Sequence, residues 1–145
     1  MHNIVNMKNS FPKFILDSLP ENFDIYLTGS RYFGTNTDES DWDFFIENNS
    51  TIIDHLLVLG YKRVTKHTYN DSLTESVWRK TIFLPDCKVT YIDIQVIKFP
   101  LGKNIKIKAQ EFLYRGNYLS SIDNNNKSLL SKTWDYAINH VASKK

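Results

Sequence analysis

Apolar residues recur at helical spacing across Ser10–Leu19, where Phe14, Ile15, Leu16 and Leu19 make one face. Ser10 is placed to cap this helix, Pro12 suits its first turn, and Pro20 ends it. From Phe23 the period changes to two: Phe23, Ile25 and Leu27 alternate with Asp24, Tyr26 and Thr28, which predicts a strand broken by Gly29-Ser30. Arg31–Gly34 predicts a short helix, Thr35–Ser40 a polar loop, and Trp42–Ile46 a short apolar strand. Ser50-Thr51 precede Ile52, Ile53, Leu56, Leu57 and Leu59 as a cap precedes a helix, and Gly60 closes that run. Strands are expected over Tyr61–Lys66, Ser76–Leu84 and Val89–Ile97, the last two joined through Pro85-Asp86. Asn124-Asn125-Asn126 reads as a loop, and from Ser128 the positions Leu130, Trp134, Ala137, Ile138 and Val141 form one helical stripe. Helix, strand, short helix, strand, helix, several strands and then helices predict an α+β (mixed α/β) domain, with a single mixed sheet and helices packed against it.

Composition adds limits rather than detail. The 145 residues suit one domain, and a 41% hydrophobic share, 14% aromatic, is enough for a packed core. No stretch approaches the ~20 apolar residues of a membrane helix. Met1 to Ser10 is polar and has no apolar signal-peptide centre. Cys87 is the only cysteine, so a disulfide framework and a cysteine-based zinc site are excluded and the cytoplasm is the expected compartment. A net charge of +2 is a weak argument for a nucleic-acid partner. Lys98, Lys103, Lys106 and Lys108 read first as a solvated, lysine-rich surface, with phosphate steering as the alternative. His2, His55, His67 and His140 show no metal-ligand spacing, and His55, inside a helix, reads as a satisfied or exposed histidine. Trp78 and Trp134 read as core aromatics, and packing is also the default for Trp42, Tyr32 and Phe33.

The chemistry concentrates between Leu27 and Ile46. Gly29, with no Cβ, allows a sharp turn and close approach of a ligand, and the first amides of a following helix suit a phosphate. A Gly-Ser pair alone is equally at home in an ordinary turn. Asp41 and Asp43 are two apart at the start of a strand, so they point to one face, about 6.6–6.8 Å apart along the backbone. Such carboxylates converge on hard cations, and magnesium favours carboxylate and phosphate oxygens together. Trp42, Phe44 and Ile46 point the other way, into the core. A solvated acidic turn also produces Asp-x-Asp, but two like charges at the mouth of an apolar strand raise each other's pKa unless a cation joins them. Asp93 shares a face with Tyr91 and Gln95, opposite Ile92, Ile94 and Val96. It is either an exposed or Lys/Arg-paired residue, or the third member of one acidic cluster. Arg31, Arg79 and Lys88 are cations available to phosphate, and the sequence does not choose among them.

Gly29-Ser30-Arg31-Tyr32-Phe33-Gly34-Thr35, followed by Ser40-Asp41-Trp42-Asp43, resembles the signature of the minimal nucleotidyltransferases of the DNA polymerase β-type superfamily. The motif covers residues 23 to 47, the order of elements extends the likeness to about residue 100, and the segment beyond Pro100 matches nothing. The resemblance implies a nucleotidyltransferase fold over 1–145, with a core of about 10–100 and a helical extension of about 103–145. It implies that Gly29, Ser30 and Arg31 bind nucleotide, and that Asp41, Asp43 and Asp93 hold a pair of Mg2+ ions, or Mn2+ in their place, Asp93 also helping to activate the attacking hydroxyl. The implied activity moves a nucleoside monophosphate from an NTP to a hydroxyl on a protein, an RNA end or a small molecule, with release of pyrophosphate. The alternative is an inactive nucleotidyltransferase-like module that binds nucleotide or a protein partner. A homodimer or partner protein is expected to complete so small a site, with no membrane involved. Metal-dependent glycosyltransferases generally need a longer chain, an EF-hand lacks its glycine here, and glycosidase chemistry has no support beyond paired acids.

Overall fold

The computed structural model describes the backbone of residues 3–5 and residues 11–65, 71–123 and 125–143. Ser10, Lys66 and Asn124, together with His2 and His67, lie outside them. Along the chain come β1 (Asn3–Val5), α1 (Lys13–Leu16), β2 (Asp24–Thr28), α2 (Gly29–Phe33), β3 (Trp42–Glu47) and α3 (Ile52–Val58). They are followed by β4 (Lys62–Arg63), β5 (Thr74–Phe83), β6 (Val89–Ile97), α4 (Gly102–Arg115) and α5 (Lys127–Ala142), with one 3-10 turn at Pro85–Cys87. The strands form one mixed sheet in the order β1-β2-β3-β6-β5-β4. β1 is parallel to β2 and β3 to β6, while β2/β3, β5/β6 and β4/β5 are antiparallel. This is the α+β class the pattern predicts.

Two faces of the sheet have different fates. On the first, Ile25 and Leu27 of β2, Phe44 and Ile46 of β3 and Ile92, Ile94 and Val96 of β6 meet Ile15, Leu19, Ile52 and Leu56 from α1, α3 and their flanks. Trp42 packs at the edge of this core. Burial of this kind is worth roughly 25 cal/mol per Å² of apolar surface and is the main favourable term holding helices to a sheet. On the second face α4 and α5 pack on each other through Ala109, Leu113, Trp134, Ala137 and Ile138. That pair covers only part of the sheet: Lys106 of α4 lies over Phe45 of β3, and Gln110 donates to the Leu27 carbonyl at 2.9 Å. Tyr26 therefore stacks on Phe45 in a buried cluster rather than facing solvent. The strict alternation of β2 is lost in burial because both of its faces are covered, and only Asp24 is exposed.

Several expectations need correction. β1 was not expected; a three-residue edge strand carries too little pattern to stand out, and its pairing with β2 is tertiary. α1 is one turn, Lys13–Leu16, with Pro12 as its N-cap instead of inside the helix. The strand at Tyr61–Lys66 shrinks to Lys62–Arg63, extended by a Val64-to-Val77 backbone bond of 2.8 Å. Thr51 stands at the N-cap of α3 as expected but makes no side-chain cap bond; Asn49 Oδ1 instead accepts from the Thr51 and Ile52 amides at 2.9 and 3.1 Å. The end of α3 follows expectation, with Gly60 at φ +93° and bonds from Gly60 N to Leu57 O and Tyr61 N to Leu56 O. Lys106 is the sharpest departure, since it is fully buried and not part of a lysine-rich surface. Trp78 and Trp134 are buried as expected, and His55 is exposed. Among the described residues no helix is long and apolar enough to cross a membrane.

Candidate functional site

β3 and β6 run side by side in the same direction, with Asp43 opposite Asp93, Phe44 opposite Ile94 and Phe45 opposite Gln95. Paired residues on neighbouring strands share a face, so Asp43 and Asp93 stand together on the face that α4 leaves partly open. Asp41 precedes β3 and comes from the loop rather than from the strand. All three acids line a cavity of about 500 Å³, with Thr28, Gly29 and Ser30 on the same wall. Phe33, Leu119, Leu130 and Trp134 supply an apolar part of the lining, and Lys127 at the start of α5 adds a cation.

Gly29 is needed for two reasons. Its φ is +69°, and a Cβ there would collide with the Asp43 carboxylate. The glycine is thus the cradle in which Asp43 sits. Burial first, then the Asp93 and Asp41 carboxylates, push the Asp43 carboxyl up to about 7, against the opposing pull of Lys127 and Arg79. Asp41 is also raised, by burial and then by Asp93, with Arg79, Lys127 and Arg31 pulling it down. The crowding is electrostatically unfavourable and calls for positive charge.

Arg79 supplies part of it. Lying directly opposite Asp93 on β5, it donates Nε to Oδ1 at 2.7 Å and Nη2 to Oδ2 at 2.9 Å. Nη2 is also 3.8 Å from Asp41 Oδ2, and the guanidinium lies 4.5 Å above the Tyr91 ring. A planar fork on a carboxylate is the strong form of this pairing.

Arg31 takes another course. Its Nη2 donates to Ser40 O at 2.8 Å and to Asp38 O at 3.3 Å, its Nε also reaches Ser40 O, and its guanidinium sits 4.0 Å over Trp42. It braces the loop that delivers Asp41 and is not among the residues lining the cavity. Ser40 helps from within, accepting the Thr37 amide on its Oγ at 2.8 Å. Lys88 stands at the β5–β6 hairpin turn, away from the cavity lining.

Beneath the floor, Lys106 Nζ bonds Asp71 Oδ2 at 2.6 Å and the cavity-lining Gln95 through its Oε1, with the ammonium 4.7 Å above Trp134. Burial alone would raise Asp71, but the Lys106 ammonium, the Leu73 amide and the Thr74 hydroxyl outweigh it and hold that carboxyl below its usual range. Sequence reasoning missed this lysine, Lys127 and the apolar wall. A lysine among lysines on a helix carries no mark of burial, and the wall exists only once α5 is docked.

Asp41 and Asp43 offer hard oxygen donors on the cavity lining, with the Asp43 carboxylate packed close against Gly29, a donor set that suits Mg2+. Both Asp93 oxygens are engaged by Arg79, and among the described residues no group of three His, Cys, Asp or Glu side chains stands in metal-holding geometry in this conformation. Compared with protein-family models, curated proteins and solved structures, the chain matches none.

Proposed function

We propose that this chain is a metal-dependent nucleotidyltransferase with the nucleotidyltransferase fold, moving a nucleoside monophosphate from an NTP to an acceptor hydroxyl on a protein, RNA end or small molecule. The observation that carries the proposal is the in-register pairing of Asp43 with Asp93 on a cavity wall shared with Asp41 and the Gly29 turn. Even with Arg79 on Asp93, burial and the two neighbouring carboxylates keep the Asp43 carboxyl raised, which supports a cation-binding role.

Asp41 and Asp43 would hold Mg2+, or Mn2+ in its place, with Asp93 joining when free. The bound ions, one or two, would neutralise phosphate charge and ease loss of the acceptor proton. Gly29 and Ser30 border the acids and would take the triphosphate through a backbone amide and a hydroxyl. The apolar wall of Phe33, Leu119, Leu130 and Trp134 suits the base or an apolar part of the acceptor. The acceptor oxygen bonds to the α-phosphorus while the bond from that phosphorus to the bridging oxygen breaks. Pyrophosphate leaves with the electron pair, and Asp93 accepts the hydroxyl proton. Lys127 faces the leaving charge. Arg31 acts at a distance, by holding the Asp38–Ser40 loop in place. A second copy or a partner protein would complete the acceptor side.

One observation favours the alternative, a binding module without turnover: the Arg79 fork on Asp93 leaves that carboxylate poorly placed as a base. Incubation with each α-labelled NTP, Mg2+ and cell extract separates the two. Transfer of label by wild type, lost in Asp41→Asn/Asp43→Asn, supports the transferase. Transfer that survives the double substitution removes it.

A further inference from the structure

Arg79 occupies the position a cation would take between Asp93 and Asp41. Its fork uses both Asp93 oxygens at 2.7 and 2.9 Å, its Nη2 leans to Asp41 at 3.8 Å, and Tyr91 provides an aromatic shelf beneath it. The side chain is 40% exposed, so it can leave without unpacking a core. The strand register fixes its Cα opposite Asp93, within reach of both the acid and the cavity beyond. A guanidinium suits carboxylate and phosphate equally, by the same two-pronged geometry.

We infer that Arg79 is an internal counter-ion that must move from Asp93 to a nucleotide phosphate before Asp93 can act, so that nucleotide and cation binding at this acid are coupled. The inference rests on the transferase reading and assigns its order of events. Without nucleotide, Arg79 neutralises Asp93 and keeps a cation from it. With a polyphosphate in the cavity, Arg79 exchanges one anion for another and frees the carboxylate. Each ligand then favours the state the other needs, which is coupling in the thermodynamic sense. Asp43 and Asp41 are held by no such fork, Asp41 meeting Nη2 only at 3.8 Å, so a cation can reach them before Arg79 moves.

The test is Mn2+ titration followed by electron paramagnetic resonance of the free ion, with and without a non-hydrolysable triphosphate, on wild type, Arg79→Gln and Arg79→Lys. Arg79→Lys keeps the charge and guards against a folding defect. Wild type is expected to bind an Asp93-dependent Mn2+ only when triphosphate is present, the dependence being shown by its loss in Asp93→Asn. Arg79→Gln should bind that ion without triphosphate at least about tenfold more tightly than wild type, Arg79→Lys falling between, and both should bind the triphosphate more weakly. If Mn2+ binds through Asp41 and Asp43 but neither Arg79 variant changes the Asp93-dependent ion, the coupling is overturned while the transferase reading stands. If no protein binds Mn2+ with triphosphate present, both fall.

Discussion

Asp43 is a carboxyl group whose neighbours oppose its ionisation, and this has a consequence for stability. Its pKa rises from 3.8 to about 7 on folding, first through burial and then through Asp93 and Asp41. Between those values the folded protein holds more protons at this group than the unfolded chain does. Stability therefore falls as pH rises through that window, and the full penalty is present above it. Asp43→Asn removes the ionisation. In the absence of divalent ions the variant should be more stable than wild type at about pH 8, by roughly 1–2 kcal/mol after allowance for solvent screening of a partly exposed group. The two should converge towards about pH 4. Urea melts across pH check this, and Mg2+ should narrow the gap at the higher pH by stabilising wild type alone. Equal stabilities at both pH values would mean that Asp43 is solvated and its carboxylate neighbours are not felt.

At the scale of elements, α4 is tied to the sheet by a buried charge rather than by an apolar stripe alone. Lys106 joins Asp71, which precedes β5, to Gln95 of β6, with Phe45 and Trp134 against the ammonium. Lys106→Met should cost about 3–5 kcal/mol, because it strips a buried carboxylate of its cation. Lys106→Met/Asp71→Asn should recover much of that loss in the same thermal or urea melts. A single substitution as mild as a surface lysine change would contradict the buried pairing. This pair also marks the limit of what the sequence discloses. β6 was legible to the residue, because its alternation is long and uninterrupted, and so was the α5 stripe from Leu130 to Val141. β3 was legible differently, as a short apolar, aromatic run over Trp42–Ile46, one residue short of the observed Trp42–Glu47, with Phe44 and Asp43 on opposite faces. β1, α1 and β4 are short, and their lengths are set by pairing and packing that a local pattern does not encode. Lys106 looks like the exposed Lys108 until α4 is laid on the sheet.

For the whole molecule, the decisive fact is topological: the crossover that sets β6 beside β3 in parallel brings acids fifty residues apart in the chain into one register, Asp43 against Asp93. Gly29, Ser30, Asp41, Asp43 and Asp93 all line the resulting cavity. Of these five, the Asp41 and Asp43 pair was legible from its spacing, whereas Gly29, Ser30 and Asp93 were singled out by the family resemblance. The assignment of Arg31 to nucleotide was not matched by its position, since its donors face the Asp38–Ser40 loop. Arg79, one of three cations the sequence offered without preference, is the one the sheet places on the acids. Lys127 and the apolar wall come from packing of the segment beyond Pro100, where no motif guides the eye. The central claim is that this wall of acids beside a glycine turn receives a divalent ion together with a polyphosphate. Crystals grown with Mn2+ and a non-hydrolysable triphosphate, measured at the manganese absorption edge, test it most directly. The account predicts an anomalous peak bonded to both Asp41 and Asp43, with phosphate oxygens at Gly29 and Ser30. A triphosphate bound elsewhere, or a peak that avoids these two carboxylates, would contradict it.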